Sequence, residues 1–318
     1  MARASSRILM LSLLIASAAV ARADRCGITL TASNVLINWN QNFNFQAVTL
    51  SVFKKKKDAC SIVLAFSRGG ASDYNRRMVG PGGNLPYQLC KDSSLTQILK
   101  DNPDITGPSD AIQFSMPQGD NLTSSVTYYV QVPQNGATQP SYKSSGVYTD
   151  SYLIRAYARR IDKPDESQDV DSSASVTIST TIPKILEISL LPPGGSFDPA
   201  QTSRAVDFGS LSDVASVRAL DLRVRTNAGY AISLSSQNNG MLKRGGSSAV
   251  IPYLLLINGI PMPLIGSSVN PVQVAVGSGQ TSTSGAVKSL AFVTSASTSS
   301  ALAGSYQDTI TVTVATTD

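Results

Sequence analysis

The sequence has no histidine, and that absence excludes more than any residue present. Without imidazole there is no Ser-His-Asp or Cys-His catalysis, no histidine-ligated zinc or haem, and no switch titrating near neutral pH. Charge is scarce too: 15% of the 318 residues are Asp, Glu, Lys or Arg, where about 25% is usual. The surface must therefore be polar mainly through Ser, Thr, Asn and Gln. Beyond the N-terminus no stretch keeps helical periodicity, and none approaches the ~20 apolar residues of a membrane helix. There are three cysteines and one tryptophan. What remains is 42% hydrophobic residues, enough for a core, and a length that suits about two domains of roughly 100–200 residues. These absences point to a binding or structural protein with no catalytic residues, no metal and no cofactor.

Residues 1–23 read as a secretory signal. Arg3 and Arg7 precede the apolar stretch Ile8–Val20, and Ala21-Arg22-Ala23 is a small-residue cleavage box. Cleavage removes Arg3, Arg7 and Arg22 and no acid, so the formal charge falls from +5 to +2, with 26 − 3 = 23 basic residues against 21 acidic ones. A nearly neutral exported chain has no electrostatic footprint for nucleic acid. Export also makes disulfides plausible. Cys26, Cys60 and Cys90 allow three pairings, each leaving one thiol over, and the residues alone do not choose among them.

Short alternating runs rich in β-branched residues recur, among them Thr49–Phe53, Ser125–Val130, Ser175–Ile178, Leu220–Val224, Ala231–Leu234 and Thr309–Val314. Gly, Pro, Asn and Ser clusters separate them, the pattern of an all-β sandwich. Only Leu95–Lys100 suggests a helical turn. The apolar-poor, acidic stretch Asp162–Ser173 reads as a linker, which divides the mature chain into residues 24–160, a linker at 161–174, and residues 175–318. Asp165, Asp169 and Asp171 lack the glycine that a calcium loop needs for its sharp turn.

The two halves look alike. Leu85-Pro86-Tyr87 and Gly146-x-Tyr148-x-Asp150 in the first answer to Ile251-Pro252-Tyr253 and Gly304-x-Tyr306-x-Asp308 in the second. A motif present in both copies is better explained as a structural corner than as half of a unique active site. Lys54–Lys57 reads as a solvated hairpin turn, and Gly80-Pro81-Gly82-Gly83 lacks the Lys-Ser/Thr of a phosphate loop.

These motifs, with Cys26, Ala59-Cys60-Ser61-Ile62-Val63-Leu64, Arg77-Met78 and the closing run Gly304–Val314, resemble the spore coat protein U family. That family includes subunits of archaic (Csu-type) chaperone–usher pili. The resemblance implies two immunoglobulin-like sandwiches, the C-terminal one an incomplete pilin fold needing a donor strand. It implies a disulfide between Cys26 and Cys60, leaving Cys90 as a spare thiol. It also implies the partners: a periplasmic pilus chaperone, an outer-membrane usher, and the donor strand of the next pilin subunit, which adds to the open sheet. The groove would be bordered by Ile310, Val312 and Val314.

The last alternating strand stands close to Asp318, and only Asp24 and Arg25 of the mature chain precede Cys26. The expectation is therefore a subunit that accepts a strand and has none to give: the tip adhesin at the cell surface, promoting attachment to host or abiotic surfaces and biofilm formation. The alternative within the family is a self-associating coat or matrix protein, or a shaft or adaptor subunit. A carboxylate hydrolase is disfavoured, because no acid pair stands apart from the repeat. Long loops are where binding residues belong, which nominates Ile98, Leu99, Ile105, Phe114 and Met116 in the segment 93–124 and Tyr142 in the segment 133–145.

Overall fold

The computed structural model describes residues 26–38, 45–132, 143–160, 169–211, 215–294 and 301–317; the expected leader lies outside them. The first half contains β1 (Ile28–Thr31), β2 (Val35–Ile37), β3 (Phe45–Lys54), β4 (Cys60–Phe66), β5 (Arg77–Gly80), β6 (Gly83–Pro86), β7 (Gln88–Cys90), β8 (Ile112–Met116), β9 (Leu122–Gln131), β10 (Gly146–Arg160) and β11 (Val170–Ile182). The second contains β12 (Leu186–Leu191), β13 (Val217–Thr226), β14 (Gly229–Ser236), β15 (Met241–Arg244), β16 (Val250–Ile257), β17 (Ile260–Met262), β18 (Val272–Gly277), β19 (Ala286–Thr294), β20 (Tyr306–Gln307) and β21 (Ile310–Thr317). No helix occurs among the described residues. At 95–100 the expected helical turn is an irregular loop, in which Asp92 Oδ1 accepts from Gln97 N and Cys90 bridges to Ile98.

In the first domain the sheet β1-β3-β9-β7 faces the sheet β2-β11-β10-β4-β8, and the hairpin β5–β6 hangs from β10. The second domain repeats this order. Its sheet β12-β13-β19-β16-β15-β20 faces β18-β14-β21. Strand by strand, β12 matches β1, β13 matches β3, β19 matches β9, β14 matches β4, and β21 matches β10. Each unit is an immunoglobulin-like sandwich with its own core, since alternating side chains turn inward as the strand period dictates. One core runs from Cys26 to Ile182 and the other is built on Leu220–Phe292.

Two expectations are corrected here. Residues 161–174 are not all linker, and the second domain does not start at 175. β11 pairs antiparallel with β10 from Gly146↔Ile182 to Tyr157↔Val170, and parallel with β2 through Val35, Leu36 and Ile37. It is the last strand of the first sandwich. The polar residues that read as linker serve its far end: Asp171 Oδ2 accepts from Ala158 N (2.8 Å), and Ser172 Oγ accepts from Leu30 N (3.1 Å). Only Pro183–Ile185 separates it from β12. Nor is the Lys54–Lys57 run solvated throughout, because Lys54 ends β3 pointing inward, fully buried. Its ammonium donates to the carbonyls of Asp58 (2.6 Å) and Pro117 (2.9 Å), which is how a buried cation escapes the cost of lost hydration. Lys55, Lys56 and Lys57 are exposed.

A disulfide joins Cys26 to Cys60, tying the start of the chain to the first residue of β4. Cys90 is a buried free thiol, pushed up to about 11 by burial, and so is held in its unreactive protonated form.

Candidate functional site

The site begins with a corner that occurs twice. In the first domain Asp150 Oδ2 accepts from the buried Tyr87 hydroxyl (2.7 Å), and its Oδ1 accepts from the amides of Gly70 (3.0 Å) and Ser151 (2.8 Å). Gly69 has φ +67°, and a Cβ there would collide with the Asp150 carboxylate, so the turn beside Arg68 requires glycine. In the second domain Asp308 Oδ2 accepts from the hydroxyls of Tyr253 (2.6 Å) and Ser236 (2.5 Å), and its Oδ1 from the amides of Asn238 (2.9 Å) and Thr309 (2.8 Å). Burial first, then the neighbouring carboxylate, raises both tyrosines well above the ordinary phenol range. The repeated Pro-Tyr and Tyr-x-Asp motifs are therefore structural corners. Each fixes where the strand after its aspartate enters the sheet.

That strand meets different surroundings in the two domains. Along β10, Tyr148, Tyr152, Ile154 and Ala156 are all essentially inaccessible, and β11 pairs along the edge beside them. Along β21, the equivalent inward side chains Ile310, Val312 and Val314 are only half-buried. β21 pairs with β14 on one edge, and among the described residues no strand pairs with the other. The β11 position is vacant in the second sandwich.

An open cavity of about 550 Å³ occupies that position, lined on one side by Ile310 and Val312 and on the other by Ile188, Leu190, Val206 and Phe208. The segment 202–208, which lies between β12 and β13 in the chain as β2 lies between β1 and β3, also lines it. It is pinned at both ends: Leu190 N donates to Gln201 O (2.6 Å), and Arg218 donates to the carbonyls of Asp207 (2.7 Å) and Phe208 (3.3 Å). An apolar slot beside an unpaired strand edge can take one more strand, which supplies the missing backbone hydrogen bonds and fills the slot with alternate side chains.

The residues nominated as a binding surface fare differently. Leu99 is fully buried and Met116 is 2% exposed, so neither can touch a surface. Leu99 is held by its amide on Leu89 O (2.9 Å), and Met116 sits opposite Cys60 in the β4–β8 ladder. Ile98, Ile105 and Phe114 are half-buried, Phe114 packing against the first core. Tyr142 lies outside the described residues. The neighbouring Lys143–Ser145 lies against the second domain, where Asn227 Nδ2 donates to Lys143 O (3.1 Å) and Ser145 N donates to Asn227 O (2.9 Å).

Sequence reasoning also missed Arg76. It is fully buried, and its guanidinium donates to the carbonyls of Ser67 (2.9 Å), Phe66 (3.1 Å) and Leu99 (2.7 Å). Burial lowers its pKa. Three carbonyl bonds from one side chain tie the 91–111 segment to the sandwich. Nothing in Asn75-Arg76-Arg77 distinguishes the buried arginine from its exposed neighbour.

Among the described residues no group of three Cys, Asp or Glu side chains is arranged to hold a metal ion. Residues 28–154 match the family model described as the Spore Coat Protein U domain. The first domain is a Spore Coat Protein U domain. To this domain the structure adds β11, and the second sandwich then repeats its strand order. No curated protein matches the chain.

Among solved structures, the chaperone–tip adhesion subunit pre-assembly complex CsuC–CsuE of the archaic Csu pili of Acinetobacter baumannii is 15% identical, with a TM-score of 0.40, covering 90% of this chain and 99% of that one. The CupB6 tip adhesin of Pseudomonas aeruginosa is 12% identical, with a TM-score of 0.46, over 91% and 93%. A donor-strand-complemented CssB subunit of enterotoxigenic Escherichia coli is 17% identical, with a TM-score of 0.28, over 48% and 97%.

Proposed function

We propose that this protein is the tip adhesin subunit of an archaic chaperone–usher pilus. The observation that carries the reading is the pairing of one completed sandwich with one that lacks its last strand. In the periplasm a chaperone would fill the slot between β21 and the 202–208 segment. At the outer-membrane usher the N-terminal strand of the next subunit would replace it. Each apolar side chain seated in the slot contributes about 1.5–3 kcal/mol, so several make the joint practically irreversible. The strand that leads into the second sandwich is already paired within the first. A subunit that accepts a strand while its own is engaged belongs at the end of a fibre, with the first domain outermost. From there it attaches to host or abiotic surfaces and supports biofilm formation. It performs no catalysis.

Immunogold labelling of the assembled fibre tests the position. Label confined to one end is expected. Label along the length would make the protein a shaft or adaptor subunit, and a labelled surface without fibres would make it a self-associating coat.

A further inference from the structure

Two sandwiches joined by a connector as short as Pro183–Ile185 are ordinarily free to move against each other, because the contacts between neighbouring domains are small and polar. Here one side chain opposes that freedom. Asn227, in the turn between β13 and β14, is 1% exposed. Its Nδ2 donates to Lys143 O (3.1 Å) in the first domain and to Pro183 O (2.9 Å) in the connector, and its Oδ1 accepts from Ile185 N (2.7 Å). Its main chain joins in: Asn227 N donates to Ile185 O (3.4 Å), and Asn227 O accepts from Ser145 N (2.9 Å). A carboxamide suits this position because one short side chain must supply two donors and an acceptor together.

The groups that Asn227 holds are themselves held. On the first domain's side the fully buried Tyr148 donates its hydroxyl to Ser144 O (3.0 Å), midway between the two residues that Asn227 contacts. Ser144 Oγ in turn donates to Gln280 Oε1 (3.1 Å) in the second domain. On the second domain's side Thr226 N donates to Thr281 Oγ1 (3.0 Å), and Thr281 N donates to Thr226 O (2.9 Å). Ala228 N donates to Thr226 Oγ1 (3.1 Å), which closes the turn around Asn227. The joint is therefore built largely on main-chain groups of folded segments, and these cannot swing away as exposed side chains can.

We infer that Asn227 locks the two sandwiches into one rigid body and fixes the angle at which the first domain is carried. It is a positioning residue: it bonds the main chain on either side of Ser144 and the connector at once. In the fibre reading above, the lock aims the outermost domain and passes tension to it without a hinge. The joint does not depend on that reading, since every group in it belongs to one chain.

Double electron–electron resonance on the full-length protein tests the lock. Nitroxides are attached at Thr127→Cys on β9 and Val287→Cys on β19, both exposed positions, while the buried Cys90 stays unlabelled. A single narrow distance distribution is expected. Asn227→Ala should broaden it at least about twofold, as independent domain motion replaces a fixed joint. Asn227→Asp keeps the acceptor for Ile185 N but sets an oxygen against the carbonyls of Lys143 and Pro183, so it should broaden the distribution as well. Being nearly the same shape as asparagine, it decides the matter if the alanine variant fails to fold. A broad distribution in the chain that keeps Asn227, or a narrow one in Asn227→Asp, would overturn the inference. Neither result bears on the acceptor groove, which these labels do not read.

Discussion

Truncating Ile154 and Val312 to alanine should have sharply different effects, although the two occupy the same place in the repeated fold. Ile154 is fully buried in the first core, on a strand flanked by β11. Isoleucine-to-alanine changes at such sites cost about 2–5 kcal/mol, because the packed surroundings cannot collapse into the void. At about 2–4 °C per kcal/mol for a domain of this size, a loss near 3 kcal/mol lowers the first domain's midpoint by about 6–12 °C. Val312 faces an open slot. Removing two carbons at about 0.8 kcal/mol each would cost about 1.6 kcal/mol if they were wholly buried, and about half that for a half-buried side chain with no enclosed cavity left behind. The free protein should therefore lose only about 2–3 °C in its second transition.

The remaining half of the Val312 contribution appears when a strand covers the site, as a roughly fourfold loss of strand affinity. Val312→Asp sharpens the contrast. Its carboxylate reaches water in the free chain, but a bound strand would trap it unpaired, so affinity should fall at least about 100-fold. Scanning calorimetry with and without strand peptide reads both midpoints, and amide exchange assigns them to domains. If Val312→Ala destabilised the free chain as much as Ile154→Ala, the slot would be closed in solution and the reasoning would fail.

Replacing Cys26 and Cys60 by alanine releases a loop whose ends are 34 residues apart. The first domain should lose up to about 4 kcal/mol, and a matching shift of the second transition would contradict two separate cores. Tyr253→Phe removes the hydroxyl bond to Asp308 and should cost the second domain about 1.5–3 kcal/mol in urea unfolding, with Tyr87→Phe doing the same to the first; a cost under about 0.5 kcal/mol would show the corners to be dispensable.

Acid should act through Asp110. The Thr106 amide, the Thr106 hydroxyl and Lys100 hold its carboxyl down to about 2, below the ordinary 3.8. The unfolded chain then takes up the proton first. The contribution is present in full above about pH 4 and is lost as pH falls towards 2. Asp110→Asn should flatten that part of the stability–pH curve for the first domain, and an unchanged curve would refute the assignment.

Much of the fold was legible in the residues because strands have a two-residue period, which writes itself into alternating side chains. The duplication was legible through its corners: Tyr87 with Asp150 and Tyr253 with Asp308 repeat because each turn needs the same hydrogen bonds. The boundary was not. Ser175-Val176-Thr177-Ile178 is plainly a strand, but its neighbours in the chain do not say whether it pairs backwards with β10 or forwards with the second sandwich. The segment 93–124 was misread at Leu99 and Met116 for a related reason. Apolar residues scattered among polar ones look alike whether a loop exposes them or folds them under, and the bonds that hold this segment down, from Arg76 to Leu99 O and from Leu99 N to Leu89 O, join residues far apart in the chain.

The sequence by itself determined a histidine-free, all-β chain in two similar halves, since composition and periodicity depend on each residue and its near neighbours. Only the tertiary structure decided that β11 completes the first half and that, among the described residues, nothing equivalent completes the second. Strand pairing joins residues far apart in the chain, and an unfilled edge is visible only once every other strand has found its partner.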